Sequence, residues 1–154
     1  MSDESLRVLK REHPVTLWLP AEGRMDGAVF VWPETEGRPT GESPADVFNS
    51  EEPFVAVKRY APDHVQLYRK SAIARVEFQP RGARDAGDSN IGCSVRLDDG
   101  ASVRGRVREV LPEARQRLLD HLNRDAAAFL RLFLEDGGIA LLNKLHIVRV
   151  TEED

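Results

Sequence analysis

Val65–Val76 reads VQLYRKSAIARV, and 74 residues further on Ile139–Val150 reads IALLNKLHIVRV. Apolar residues fall at matching places. A lysine recurs as Lys70 and Lys144, and both stretches close on Arg-Val. Working outward, Asp46, Phe48 and Asn49 return as Asp120, Leu122 and Asn123, again 74 residues on. Phe54-Val55-Ala56-Val57 returns 75 residues on as Phe129-Leu130-Arg131-Leu132. Leu17, Leu19, Met25, Gly27 and Val29 return 78 residues on as Val95, Leu97, Val103, Gly105 and Val107. Four blocks in one order, separated by small insertions, mark a tandem duplication. A repeat of this period sets the architecture.

The chain has 154 residues, so each copy is a small unit whose own core is marginal. Such units gain by packing on one another or by oligomerising. Hydrophobic residues make up 41% and charged residues 31%, which places the chain among folded proteins rather than disordered ones. A net charge of −4 excludes a general attraction to nucleic acid or anionic lipid. Cys93 is the single cysteine, so neither an internal disulfide nor a cysteine zinc site can form. The first residues, MSDESLRVLKREHP, lack the apolar segment of a secretory signal, and no apolar run is long enough for a membrane helix. The expectation is a cytoplasmic protein.

Apolar alternation and turn residues predict five short strands per copy with one small helix between the second and third. In the first copy these are Val15–Leu19, Met25–Val31, Phe54–Arg59, Val65–Arg69 and Ala72–Phe78. Ser5–Glu12 reads as a short helix before Pro14, and Pro33–Gly41 as an acidic loop. Ser43 and Pro44 start the inserted helical turn, with Asn49 placed to close it in a left-handed conformation. Residues 80–91 form a polar, glycine-rich linker. The second copy runs through Ser94–Leu97, Ser102–Val110, a helix at Pro112–Leu122, Phe129–Leu134, Gly138–Leu142 and His146–Thr151. Gly27 inside its strand predicts a close backbone approach. The apolar faces of the second copy predict burial on both sides, against the first copy or another subunit.

The first copy resembles the Sm-like family, bacterial Hfq in particular. The resemblance rests on Leu6–Gly23 (LRVLKREHPVTLWLPAEG), Gly27, Phe54–Arg59 (FVAVKR) and Gln66–Val76 (QLYRKSAIARV). In the second copy Lys144 and Ile147 of the last signature remain, preceded by Asn143. The second copy is also similar to an uncharacterised bacterial domain family. The inserted helix with its Asp-x-Phe/Leu-Asn motif departs from Hfq, as does the presence of two copies in one chain. The resemblance implies a mostly β protein: two tandem five-stranded small barrels, residues 1–79 with an N-terminal helix and residues 92–154. It also implies assembly by pairing of edge strands, one such pairing being completed inside the chain. A dimer or trimer would then give a ring-like object.

The same resemblance places Lys70 and Ser71 where the family contacts uridine and its phosphate, and Phe54 where an aromatic stacks on a base. Stacking beside a lysine suits single-stranded RNA. Lys58 adds to a locally basic middle of the chain, and Lys144 is the second copy's counterpart of Lys70. Against this, Phe54 and Phe129 recur as residues that would each fill their own barrel core. Lys70 and Lys144 suit a solvated turn or a contact to the inserted helix. Asp46, Asn49, Asp120 and Asn123 read as structural residues that cap the helices. Arg104, Arg106 and Arg108 alternate along one strand face, a row that suits phosphate recognition or protection against aggregation. The four histidines do not recur between copies, and no nucleophile or paired-carboxylate arrangement stands out. The reading is a non-catalytic assembly or adaptor module that binds a protein partner or itself. The alternative is an RNA-binding regulator resembling Hfq. Neither reading calls for a cofactor, a metal or a membrane.

Overall fold

The computed structural model describes residues 10–37, 39, 41–81, 91–108, 117–124 and 126–153. Alternation builds the first strand. In β1 (Arg11–Leu19) His13, Val15, Leu17 and Leu19 face inward, and Gly23, at φ 81°, turns the chain into β2 (Gly23–Val31). Next come helix α1 (Pro44–Phe48), β3 (Phe54–Tyr60), β4 (Asp63–Arg69), a 3₁₀ turn at Lys70–Ala72, and β5 (Arg75–Phe78). The second half repeats the series as β6 (Ile91–Leu97), β7 (Ser102–Val107), α2 (Arg117–Arg124), β8 (Phe129–Phe133), β9 (Ile139–Asn143), a 3₁₀ turn at Lys144–His146, and β10 (Ile147–Glu153).

The ten strands form one antiparallel sheet in the order β10-β6-β7-β8-β9-β5-β1-β2-β3-β4. The repeat extends to register. Leu17 pairs with Met25 and Val76, and their counterparts Val95, Val103 and Val150 pair in the same way. Two tandem five-stranded small barrels were expected, with one edge pairing completed inside the chain. The sheet is instead open, and the two halves join where β5 pairs with β9. The cause lies in β9, which is buried along its whole length, IALLN. A strand apolar on both faces needs cover on both, and pairing with β5 also satisfies its backbone edge.

Two cores result. The first gathers Val15, Leu17, Phe48, Val57, Ile73 and Val76 with Phe129, Ile139 and Leu141 from the second half. The second gathers Val95, Leu97, Leu118, Leu130, Leu132, Ala140 and Leu142. Alternate residues of β9 thus serve different cores. Gly27 and Gly105 hold equivalent places and meet equivalent crowding. A Cβ at Gly27 would lie 2.6 Å from the Lys58 carbonyl oxygen, and one at Gly105 would lie 2.8 Å from that of Phe133. The close approach expected at Gly27 is therefore present.

Local expectations changed in three places. The helix expected over Ser5–Glu12 fails at its C-terminal end, because Arg11 and Glu12 pair with Val31 and Phe30 as strand. Its residues 5–9 lie outside the described residues. Ile91, the last residue of the expected linker, begins β6, while residues 82–90 lie outside the described ones. The helix expected at Pro112–Leu122 runs on to Arg124, and its residues 112–116 are likewise outside.

Candidate functional site

Helix α1 is only five residues long, so its ends decide its existence. Ser43 Oγ accepts from the Ala45 amide at 3.2 Å, and the Asp46 carboxylate accepts from the Ser43 amide at 2.9 Å. This reciprocal cap satisfies two donors left over at the helix start. Asn49 differs from expectation. Its φ of −96° is not left-handed. Its side chain instead spans the two halves: Oδ1 accepts from the Phe129 amide at 2.8 Å, and Nδ2 donates to the Phe129 carbonyl at 3.4 Å. The Phe48 ring meets the Phe129 ring edge-on at 5.6 Å. In the Asp-Val-Phe-Asn motif, then, Asp46 holds its own helix while Phe48 and Asn49 grip the other half. Of the second motif, Asp120 and Asn123 lie on α2, Leu122 packs on the second core, and Asn123 is exposed.

A second clamp lies at the end of β9. Asn143 is buried, and its Nδ2 donates to the carbonyls of Ile73 at 2.9 Å and Lys70 at 3.3 Å. Its Oδ1 accepts from the Leu145 amide at 3.0 Å. His146 contacts Asp98 through Nδ1 at 3.0 Å and the Ser71 carbonyl through Nε2 at 3.0 Å. Ser71 therefore takes part in the junction through its backbone. Asn143 was visible in the sequence beside Lys144, but nothing local marked it as the residue joining the halves.

The outer end of the first half is built from the same elements without such cover. Phe54 stands 50% exposed in β3, with the Arg69 guanidinium 5.7 Å from its ring centre. Phe129 is 1% exposed, and it fills the first core rather than that of its own half. Neither phenylalanine fills its own core as expected. Val65 and Leu67 of β4 are 53% and 71% exposed, whereas their counterparts Ile139 and Leu141 in β9 are buried.

Phe54 and Lys70 line one hollow of about 760 Å³ with Lys10, Trp32, Glu42 and Glu52. Lys70 is buried, and its Nζ donates to Ser50 Oγ at 2.7 Å and to the Ser50 carbonyl at 3.4 Å. Burial pulls its pKa below the usual lysine value, while Glu52 acts in the opposite direction. Lys58 points elsewhere, pairing with Glu12 at 3.0 Å, and that hydrogen bond raises its pKa. Lys144 belongs to the second half, where its amide donates to the Ala128 carbonyl. Of the five residues expected to contact RNA, only Phe54 and Lys70 share this hollow. Lys10 lies 5.0 Å from the Trp32 ring centre, and neither residue stood out in the sequence.

Among the described residues two other titratable groups are buried. His13 Nε2 donates to the Gln79 carbonyl at 2.8 Å, and burial lowers its pKa. Burial pushes the Cys93 thiol up to about 11, which suits an inert core residue rather than a nucleophile. Arg104, from the arginine row, forms a two-pronged pair with Glu153 at 3.1 Å. Among the described residues no cluster of His, Cys, Asp and Glu has the makings of a metal site. No helix among them is long and apolar enough to cross a membrane. No family model matches the chain, and neither a curated protein nor a solved structure matches it significantly.

Proposed function

We propose that the chain is a non-catalytic assembly and adaptor module, a tandem pair of Sm-like units, that takes an extended protein strand onto the outer edge of β4. One observation carries this reading. β4 exposes Val65 and Leu67 and has no strand on its outer side among the described residues, whereas the equivalent β9 is paired on both sides and buried. An open strand edge with apolar side chains offers backbone hydrogen bonds and side-chain contacts together, which is how extended segments add to sheets. The test is selection of extended peptides from a random library on the wild-type protein and on Leu67→Lys. Peptides with alternating apolar residues that bind the first and not the second support the reading. Failure to enrich any peptide on the wild type would overturn it.

A second reading, single-stranded RNA binding, draws on the exposed Phe54 ring with Arg69 against it. An aromatic face beside a guanidinium suits base stacking. Titration of labelled U-rich and A-rich oligomers at low and near-physiological salt tests it. Sub-micromolar binding that weakens with salt and with Phe54→Ala would support it. The two readings compete for one surface, so a bound strand on β4 should reduce RNA binding.

A further inference from the structure

We infer that the outer face of β10, β6 and β7 is a second docking surface, one that takes an acidic, extended protein segment onto a field of arginines. The inference goes beyond the edge-capture reading and stands apart from it, because β4 lies at the opposite end of the sheet from these three strands. Register gathers the arginines. Arg149 pairs with Arg96, Ser94 with Arg104, and Gly92 with Arg106. Residues paired in this way share one face of the sheet. The other face carries Cys93, Val95 and Val103 into the second core. Arg108 and Arg131 close the field on its far side, their guanidiniums 5.5 Å and 5.3 Å from the ring centre of Phe133. Glu135 and Glu153 border it.

The repeat shows that the fold does not require this charge. Arg96, Arg104, Arg106 and Arg108 stand 78 residues after Trp18, Asp26, Ala28 and Phe30. In the first half the same face is balanced. Arg75 lies 3.9 Å from the Trp18 ring centre and pairs with Glu77, and Thr16 Oγ1 donates to Asp26 at 2.9 Å. The counterpart of the Trp18–Arg75 pair is Arg96–Arg149, two cations set directly opposite each other. Like charges so placed oppose folding. Protection of a free edge does not account for them, since β6 and β7 are interior strands. Composition does not account for them either, because the chain has 26 acidic residues against 22 basic ones. An anion laid across the face turns the repulsion into attraction.

The chain's own carboxylate shows how such an anion seats. Glu153, on the extended strand β10, accepts from Nε and Nη2 of Arg104, each at 3.1 Å. Gly92 keeps the neighbouring floor bare. A Cβ there would lie 3.3 Å from Arg106 Nη1, so Arg106 reaches across β6 beside a hollow of about 330 Å³ that it shares with Arg104. Ser102 Oγ holds Arg96 at 3.1 Å. Arg104, Arg106 and Arg108 follow at every second residue, a spacing of about 6.5–7 Å, which is also that of alternate side chains in an extended peptide. A guanidinium carries five donors, so one carboxylate does not exhaust it. Carboxylates at alternate positions of a protein segment therefore match the row. Single-stranded nucleic acid fits less well, because it stacks bases on aromatic faces as well as pairing charge. Phe133, the aromatic ring of this field among the described residues, is flanked by two guanidiniums and packs on the first core.

Fluorescence anisotropy with three labelled probes tests the inference. The probes are a peptide with glutamate at alternate positions, the same peptide with lysine in their place, and a deoxythymidine oligomer of the same net charge as the first. The glutamate peptide should bind the full chain, and binding should weaken as salt rises to near-physiological strength. The lysine peptide should not bind, and the oligomer should bind more weakly than the glutamate peptide. Arg96 and Arg149 are both exposed, so the double variant Arg96→Ser/Arg149→Ser should fold. It should bind the glutamate peptide about tenfold more weakly, the effect of two lost surface charge contacts. It should also unfold at the same denaturant concentration as wild type or a higher one, because a repulsion has been removed. A double variant less stable than wild type would give the two arginines a structural role and overturn the inference. So would a glutamate peptide that fails to bind at low salt, or one that binds wild type and double variant alike. An oligomer that binds more tightly than the peptide, and loses affinity in the double variant, would overturn it by assigning the face to nucleic acid.

Discussion

Phe129 and Phe54 hold the same place in the two halves and have opposite surroundings. One is enclosed by the first core and the Phe48 ring, and the other is half exposed beside Arg69. The residue is the same, and its strand holds the equivalent place in each half. The difference is that β8, which carries Phe129, is followed in the sheet by β9 and then β5 and is met by Asn49 and Phe48 of the other half, whereas β4 alone lies beyond β3, which carries Phe54. Leu141 and Leu67 repeat the contrast on the adjacent strand. Burying each such side chain contributes about 1.5–3 kcal/mol, so the internal junction is a substantial part of the fold, and the exposed counterparts forgo that contribution. In a tandem repeat, equal sequence gives equal local structure, while burial depends on what comes next along the array.

Substitutions at equivalent positions should therefore split the pair at the ends and leave the pair inside each half alike. Leu141→Ala should cost about 2–5 kcal/mol by chemical denaturation, while Leu67→Ala should change single-chain stability by less than about 0.5 kcal/mol. Equal losses at the two sites would remove the contrast. Gly27→Ala and Gly105→Ala act inside their own halves, where a Cβ meets backbone of the neighbouring strand in both cases. Each should cost about 1–3 kcal/mol, and a large difference between them would break the equivalence of the halves. Asn49→Ala strips both bonds from the Phe129 backbone and should cost about 1–3 kcal/mol, whereas Asn123→Ala should leave the single chain within about 0.5 kcal/mol of wild type.

The smallest effect concerns pH. Burial in the folded chain favours the neutral form of His13, so the unfolded chain takes up its proton more readily than the folded one. Stability from this group is present above the ordinary histidine pKa of about 6.5 and is lost as pH falls through the lowered folded value. Denaturation at a series of mildly acidic pH values should give a shallower slope for His13→Gln than for wild type. An unchanged slope would remove His13 as a contributor.

The sequence made the strands legible because each is short, alternating and written twice. All ten expected strands are present, with ends displaced by a few residues. Gly27 and Gly105 were legible for the same reason. What stayed hidden was long-range. Ser5–Glu12 read as a helix ending before Pro14, but Arg11 and Glu12 answer to Val31 and Phe30 across a ladder. Asn49 at the end of a short helix looked like a cap, and only the approach of β8 gives its amide a different task. Phe54 looked like core because it recurs as Phe129, and recurrence does not say which face has a neighbour. Lys70 was visible as a motif residue, but its burial against Ser50 was not. The unclosed sheet was hidden in part: ten alternating strands with one pairing inside the chain fit two small barrels or one continuous sheet, and β9, buried along its whole length between β8 and β5, belongs to the second arrangement.

Native-state hydrogen exchange in dilute protein tests most directly whether the neighbouring strand decides the difference between β9 and β4. Amides of β5 and β9 should be strongly protected. Those on the outer side of β4 and β10 should exchange fast. Amides of β9 that exchange as fast as those of β4 in dilute protein would contradict the account. So would β4 amides that are already protected in a single-chain species, because another part of the same chain would then cover that edge.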